Sequence, residues 1–191
     1  MGRYDEALAE IDRAQTLDPQ STAILADKGL ILYLAGQKKE GITVLKNVEA
    51  AEPMFLSTHD YLATLALLDG EDASYLAEAR QTAELRHDAD QLAVVEAAER
   101  GFASGGRRGM LSAKLAAQKK LYAEAKIPAF SLAETCGLLG DKVGAFDYLQ
   151  ESYSKHEPIL LSVEISPIFA GMHTDPRFRE LVRKIGLPPL A

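Results

Sequence analysis

Apolar residues recur every three or four positions along most of the chain, which is the spacing of one buried helix face. Ser21 or Thr22 can cap a helix that Gly36 ends, because glycine adopts the left-handed conformation of a helix C-terminus at least cost. A second helix is predicted from about Lys38 to Ala51, with an inward stripe of Ile42, Leu45 and Val48. Sustained strand alternation is missing, and only 159–165 fits either an extended segment or a helical turn.

Two pairs of an acidic residue and a proline lie 34 residues apart, at Asp18-Pro19 and Glu52-Pro53. The same interval separates Gly2 from Gly36 and Gly36 from Gly70. A fixed period of this length, holding two helices, is the pattern of a helical repeat protein. Neighbouring helix pairs in such a protein bury one continuous core, so the sequence predicts stacked pairs and an all-α fold.

Small residues within this period carry a resemblance to the tetratricopeptide repeat (TPR) family. The family places a small residue where the two helices of a repeat cross, since a large side chain would force the backbones apart. Gly29 and Ala63 occupy that place on the first helices, and the second helices have small residues at Ala7, Gly41 and Ala145. The family's glycine–any–tyrosine turn is intact in Gly2-Arg3-Tyr4, whereas Tyr75 departs from the small-residue pattern.

This resemblance implies a right-handed superhelical solenoid of antiparallel helix pairs with a C-terminal capping helix. In the stretch that fits the family least, helices are predicted over Asp88–Ala103 and Gly109–Lys126, separated by a break at Ser104-Gly105-Gly106. Four segments are expected: TPR repeats over 1–87, the first of them incomplete, a degenerate helical pair over 88–126, a further TPR-like repeat over 127–160, and an extension with the capping helix over 161–191.

The last segment has a pattern of its own, with Ser-Pro-x-Phe at 166–169 and Asp-Pro-Arg-Phe at 175–178. Asp175 or Thr174 caps a helix that has Pro176 in its first turn and stops at Gly186. This ending resembles that of TPR regions in multidomain bacterial regulators. The resemblance implies that the chain is part of a signalling or transcriptional regulator.

The N-terminal helix predicted over Gly2–Asp18 resembles the second helix of a repeat that has no first helix. Its apolar residues Ala7, Leu8 and Ile11 would then face partly open space. Solenoid ends normally carry a polar cap, so we favour the interpretation that the chain is a fragment. The alternative interpretation is that this helix meets a partner or a second copy, which would make a homodimer.

The charge of the chain bears on its partners. Its net charge is −7, and the acidic excess lies within the first hundred residues. A net acidic surface repels nucleic acid phosphates, so direct nucleic acid binding is not expected. The start of the sequence has no signal-peptide pattern and no apolar run could span a bilayer, which favours a cytoplasmic protein that is not in a membrane.

The TPR resemblance implies a non-enzymatic interaction module, whose first helices line a concave groove for a partner segment. Aromatic rings there would anchor a peptide, and acidic side chains would favour a neutral or basic partner with apolar anchors. The predicted groove residues are Asp27, Leu30, Tyr33, Asp60, Tyr61, Thr64, Leu68, Phe130 and Glu134.

Other chemistry finds weaker support in the sequence. Gly105, Gly106, Arg107 and Arg108 could cradle an anion, although a flexible turn between helices explains them more simply. An alternative function is small-molecule or signal sensing, with a pocket near 88–126.

We expect no enzyme, because no nucleophile, base and orienting group occur together. No cofactor and no metal are expected either. Cys136 is predicted to be a buried inert thiol, and His59 to be a packing residue at an inward position, since one imidazole makes a poor metal site.

Overall fold

A computed structural model describes residues 3–187 of the chain. Within this range every regular element is helical and no strand occurs, which confirms the predicted all-α class. Two short 3-10 helices, Pro158–Ser162 and Pro167–Met172, follow the eighth α-helix. The α-helices are α1 Tyr4–Leu17, α2 Thr22–Leu34, α3 Lys38–Ala51, α4 Leu56–Asp69, α5 Asp72–Leu85, α6 Ala89–Ala123, α7 Ala129–Leu139, α8 Lys142–Ser154 and α9 Pro176–Lys184.

The chain divides into two compact units, Met1–Ala89 and Asp90–Ala191. In the first unit consecutive helices pack on one another, and the closest pairs are α2 with α3 and α4 with α5. In addition α2 contacts α4, although α3 lies between them in sequence. A core cluster joins α2, α3 and α4 and includes Ala26, Tyr33, Leu45, Val48, Leu62 and Leu65.

The helices α2 and α3 cross where two glycines meet. A Cβ placed on Gly41 would lie 2.5 Å from the carbonyl oxygen of Gly29, and one placed on Gly29 would lie 2.7 Å from Cγ of Leu45. Both distances are shorter than van der Waals contact, so any larger residue would push the two helices apart. The small-residue positions identified in the sequence are therefore points of close backbone approach in this pair.

The end of α2 follows the sequence prediction. Gly36 has φ +92°, in the left-handed region that costs glycine least, and its N–H and that of Gln37 donate to carbonyl oxygens of the last helical turn. Gly70 ends α4 in the same way, with φ +80°. Gly2, the first glycine of this series, lies outside the described residues.

The two helices predicted within 88–126 are the arms of a helical hairpin, α6, which reverses at Gly105 and Gly106. Gly106 has φ +57° and ψ −150°, a conformation that is essentially restricted to glycine. The arms pack closely beyond the turn, since a Cβ on Gly109 would lie 2.2 Å from the carbonyl oxygen of Gly101. The predicted break at Ser104-Gly105-Gly106 is thus confirmed as a reversal of the chain.

The second unit has a core of aromatic and aliphatic side chains from α7, α8, α9 and the 3-10 helices. Phe130 and Phe169 pack edge to face, with ring centroids 5.7 Å apart. Helix α9 adds Phe178, Leu181 and Val182 to this core. Its start confirms the sequence prediction, because the Asp175 carboxylate accepts a 2.9 Å hydrogen bond from the backbone N–H of Arg177, with Pro176 in the first turn. The segment 159–165, for which the sequence left two alternatives, begins as a 3-10 helix.

None of the helices in the described range combines the length and the apolar composition that crossing a membrane requires.

Candidate functional site

The predicted groove residues of the first unit lie on α2 and α4, two helices that contact each other. Leu30, Tyr61 and Leu68 are half-buried and pack against the core, so each shows part of its apolar side chain to solvent. Asp27 and Thr64 are exposed beside them. These five residues form a mixed surface, which we call the α2–α4 face.

Tyr61 and Asp27 tie the two helices of this face together. The Tyr61 phenol donates a 2.7 Å hydrogen bond to Oδ1 of Asp27. Burial of the ring, this hydrogen bond and the negative charges of Asp27 and Asp60 raise the pKa of Tyr61 to about 12. The phenol therefore stays protonated at neutral pH and holds its ring in place as a hydrogen-bond donor.

Tyr33, which the sequence placed among the groove anchors, lies in the core with only 4% of its surface exposed. Its hydroxyl donates a 2.7 Å hydrogen bond to Oδ1 of Asp69, and the Lys38 ammonium donates to the same oxygen. Lys38 also lies 4.8 Å from the centroid of the Tyr33 ring. The ring thus packs between helices of its own unit and offers a partner almost no surface.

The acidic side chains of this region differ in whether a positive charge is paired with them. Asp60 is half-buried and forms an ion pair with Arg86. Burial raises the pKa of Asp60, and the Arg86 guanidinium acts against this rise. Asp27 accepts its hydrogen bond from a neutral phenol instead, and its side chain is exposed. The negative charge of the face is therefore concentrated at Asp27.

The two groove residues predicted in the second unit lie on α7. Phe130 is 2% exposed and belongs to the core. Glu134 is half-buried, and this burial raises its pKa to about 7, against the opposing effect of Lys114. Glu134 therefore carries only part of a negative charge at neutral pH, and Phe130 has no surface that a partner could contact.

The residues predicted to bind an anion form the turn of the α6 hairpin. Gly105 and Gly106 are exposed, and nothing lies within 4 Å of a Cβ placed on either one. Arg107 is half-buried and Arg108 is exposed. The turn is thus open to solvent, and the conformation of Gly106 is explained by the chain reversal itself.

Near this turn, an open depression of 360 Å³ lies along the two arms of α6. Small side chains line most of it, and Arg100 and Lys120 add positive charge. This depression lies within 88–126, the stretch near which the sensing alternative expected a pocket, and it is a surface feature of the hairpin. A second depression, of 420 Å³, lies between α2 and α3 and includes Leu25, Val44 and Val48.

The apolar residues of α1 are at most half-buried, and Leu17 is 87% exposed. Ala7, Leu8 and Ile11, which the sequence assigned to an open end, are half-buried in this helix, which packs on α2. The helix therefore keeps part of its apolar surface in contact with solvent.

One constellation was missed at the sequence level. His59, predicted to be a packing residue, is 4% exposed and lies between two carboxylates. Its Nδ1 is 2.8 Å from Oε2 of Glu78 and 3.8 Å from Oε1 of Glu49, and its Nε2 is 2.8 Å from the carbonyl oxygen of Pro53. A signal was present, since a polar ring at an inward position needs hydrogen-bond partners, but the sequence does not say which ones.

The electrostatics of His59 follow from these contacts. Burial acts to lower the pKa of the imidazole, whereas the hydrogen bonds to Glu78 and to the Pro53 carbonyl raise it, as do the charges of both carboxylates. The net effect is a raised pKa. The cluster joins three helices, because Glu49 lies on α3, His59 on α4 and Glu78 on α5.

No protein-family model, curated protein or solved structure matches the chain. Function is therefore inferred from the helix pairs and from the geometry of these surfaces.

Proposed function

We propose that this protein is a TPR-like scaffold that binds a segment of another protein along the α2–α4 face. One observation carries the proposal: Leu30, Tyr61 and Leu68 present partly exposed apolar surface on two contacting helices. A surface of this kind suits the apolar anchors of an extended peptide or of a partner helix. Large rings in such a place supply contact area at low entropic cost.

Several features support a TPR-like arrangement of the first unit. Helices α2 and α3 cross at the small residues Gly29 and Gly41, where the TPR resemblance expects small residues. Helix α2 contacts α4. In a solenoid of this type both helices would line the concave side. The hydrogen bond from Tyr61 to Asp27 joins residues one period apart. In the proposed solenoid this bond fixes the spacing of successive repeats.

The expected partner is a neutral or basic segment with apolar side chains. Asp27 provides the exposed negative charge of the face, while Asp60 is compensated by Arg86. We therefore expect Asp27 to select for charge, and Leu30, Tyr61 and Leu68 to contribute most of the affinity. Tyr33 and Phe130, which were predicted to be anchors, are buried, so in this proposal they stabilise the fold and do not contact the partner.

The proposed role is non-enzymatic, and the C-terminal residues 166–178 favour a place in a larger signalling or transcriptional regulator. Their likeness to the end of TPR regions in multidomain bacterial regulators is the support for this part of the proposal. In such a regulator the scaffold would recruit or sense a partner protein, and a separate effector domain would respond to the binding of that partner.

The test uses a displayed library of random peptides as the probe and the full chain as bait. Enriched peptides should carry aromatic or aliphatic residues together with Lys or Arg. Tyr61→Ala and Leu68→Ala should each weaken their binding by about 1–2 kcal/mol, because each removes a central contact. The matched control is Met54→Ala, which changes an apolar residue of the same unit that is 71% exposed and lies off the face.

The salt dependence of binding gives a second readout. The affinity for a basic peptide should fall as the salt concentration rises, because salt screens its attraction to Asp27. This fall should be smaller in Asp27→Asn, which lacks the charge. Circular dichroism of each variant would verify that the helices remain folded. If no peptide is enriched, or if enriched peptides bind Tyr61→Ala and Leu68→Ala as tightly as the unaltered chain, the proposal is wrong.

A further inference from the structure

Glu49, His59 and Glu78 meet at one point between three helices of the first unit. Each contributes a ligand atom, and these atoms lie within 4.8 Å of one another. The imidazole is 4% exposed, while the carboxylate side chains of Glu49 and Glu78 are 31% and 17% exposed. The point is therefore buried on the side of the imidazole and reachable from solvent on the side of Glu49.

The orientation of the His59 ring is set from its far side. Nε2 is 2.8 Å from the carbonyl oxygen of Pro53. A carbonyl oxygen only accepts hydrogen bonds, so Nε2 must carry a proton and donate it. The other nitrogen, Nδ1, is then directed at the two carboxylates. A histidine that ligates a metal has this arrangement, in which the non-ligating nitrogen donates to a backbone carbonyl or a carboxylate.

The distances also fit a small divalent cation. A tetrahedral zinc ion with its ligands at about 2.0–2.2 Å places neighbouring ligand atoms about 3.3 Å apart. Nδ1 lies 2.8 Å from the Glu78 oxygen and 3.8 Å from the Glu49 oxygen, one below and one above this value. The three ligand atoms are up to 4.8 Å apart, so the two partly exposed glutamate side chains must rotate to close around an ion. Solvent on the Glu49 side supplies a water molecule as the fourth ligand.

The charge of the cluster favours a cation of charge two. The imidazole of His59 lies within ion-pair distance of both Glu49 and Glu78. When both ring nitrogens carry a proton, the ring has one positive charge and faces two carboxylates, so one negative charge stays unbalanced in a partly desolvated place. A divalent ion on a neutral imidazole balances both carboxylates.

We propose that Glu49, His59 and Glu78 bind one divalent transition-metal ion, with zinc as the best match to one imidazole nitrogen and two carboxylate oxygens. In the metal-free protein a proton on Nδ1 holds the same place and is released to solvent when the ion binds. Bound metal joins α3, the second helix of one pair, to α4 and α5 of the next. The site is separate from the α2–α4 face and is independent of the peptide-binding proposal.

The experiment is a titration of the full chain with zinc chloride, followed by calorimetry, after removal of bound metal with a chelator. We expect one zinc ion per chain. Because His59 is buried, its removal could unfold the protein, and the test variants are Glu49→Gln and Glu78→Gln, which preserve side-chain volume. Each should weaken zinc binding by more than about tenfold. Zinc should raise the thermal midpoint of the unaltered chain and have little effect on these variants.

Two matched controls separate the cluster from the rest of the surface. Glu40→Gln alters an exposed carboxylate on the same helix as Glu49, and His87→Asn alters an exposed histidine. Both variants should bind zinc as the unaltered chain does. X-ray absorption of the zinc complex should show nitrogen and oxygen at about 2.0–2.1 Å and no sulfur at about 2.3 Å.

The proposal is overturned by the absence of saturable binding, by unchanged affinity in Glu49→Gln and Glu78→Gln, or by an equal loss of affinity in the two controls. Sulfur among the zinc ligands would also overturn it, since this would place the ion at Cys136.

Discussion

The hydroxyl of Tyr61 on α4 donates a 2.7 Å hydrogen bond to Oδ1 of Asp27 on α2, 34 residues earlier in the chain. The bond lies on the surface that we propose as the peptide-binding face. It joins the first helices of two successive pairs, so it bears on stability as well as on the position of the ring.

A double-mutant cycle measures this bond. Tyr61→Phe and Asp27→Ala should each lower the free energy of unfolding, and together they should lower it by less than the sum of their effects. We expect a coupling free energy of about 0.5–1.5 kcal/mol, the usual net value of a hydrogen bond in water. Urea unfolding gives all four stabilities. Tyr61→Phe combined with Asp18→Ala, which alters an exposed acid elsewhere, should be additive; additivity in the first pair would contradict the prediction.

The close approach of the two α6 arms predicts the effect of Gly109→Ala. The added methyl group would lie 2.2 Å from the carbonyl oxygen of Gly101, so the arms must separate. Overpacking of this kind costs about 1–3 kcal/mol, whereas alanine gains up to about 1 kcal/mol of helix propensity over glycine. We expect net destabilisation, seen as a lower thermal midpoint.

The control for this substitution is Ser112→Ala, on the exposed side of the same arm. It should change the stability by less than about 0.5 kcal/mol. If the Gly109→Ala variant is as stable as the unaltered chain, the two arms do not touch at this point.

Burial of Glu134 predicts a pH-dependent stability. Its pKa is about 7 in the folded chain, above the ordinary value of a glutamate in an unfolded chain, about 4.3. The folded state therefore binds more protons between these two values. The stability contributed by this proton is complete below pH 4.3 and is lost as the pH rises through 7. Glu134→Gln removes the ionisation, and it should stabilise the protein at pH 8 by about 1–3 kcal/mol.

The measurement for Glu134 is the free energy of unfolding of both proteins from pH 5 to 8. The difference should grow with pH and be small at the acidic end. Lys114 stabilises the ionised carboxylate, so in Lys114→Gln the Glu134 carboxyl should keep its proton to higher pH, and the loss of stability should continue to higher pH. Parallel pH curves for Glu134→Gln and the unaltered chain would contradict this account.

The carboxylate of Glu157 caps the start of α7, so its removal should lower the stability of the protein. Its Oε1 accepts a 2.7 Å hydrogen bond from the N–H of Ala129, and its Oε2 accepts one of 3.1 Å from the N–H of Phe130. Pro128, at the N-cap position, provides no side-chain cap. Glu157→Ala leaves both donors without this carboxylate and should cost about 1–3 kcal/mol.

Glu157→Gln retains one acceptor oxygen and should lose less stability than Glu157→Ala. The control is Gln150→Ala on the exposed side of α8, which should lie within about 0.5 kcal/mol of the unaltered chain. Chemical unfolding of the three variants tests the order. Equal stabilities of Glu157→Ala and the control would mean that the cap has no energetic role.

The helices were largely predictable from the sequence, because their signals are local. The bounds predicted for α3, Lys38 to Ala51, are those observed, and Gly36 ends α2 with a positive φ. Gly29 and Gly41 were both identified as small residues at helix crossings through the resemblance to the TPR family, and in the structure they lie close to each other. Such signals depend on residues a few positions apart or on a repeated interval.

The candidate sites were less predictable. Tyr33 and Tyr61 occupy equivalent helices and look alike in sequence, yet one is buried and bonded to Asp69 while the other lies at the surface. Their difference depends on which neighbouring helix covers each ring. Phe130 likewise became a core residue because the second 3-10 helix packs on α7 and places Phe169 against its ring.

By itself the sequence determined the all-α class, the ends of α2 and α3 and the small residues where these two helices cross, because helix formation and close packing follow from local chemistry and spacing. Only the tertiary structure decided that Glu49, His59 and Glu78 converge and that Glu157 caps a helix 28 residues earlier. The directions of side chains on separate helices depend on how those helices pack, and that packing is a property of the whole fold.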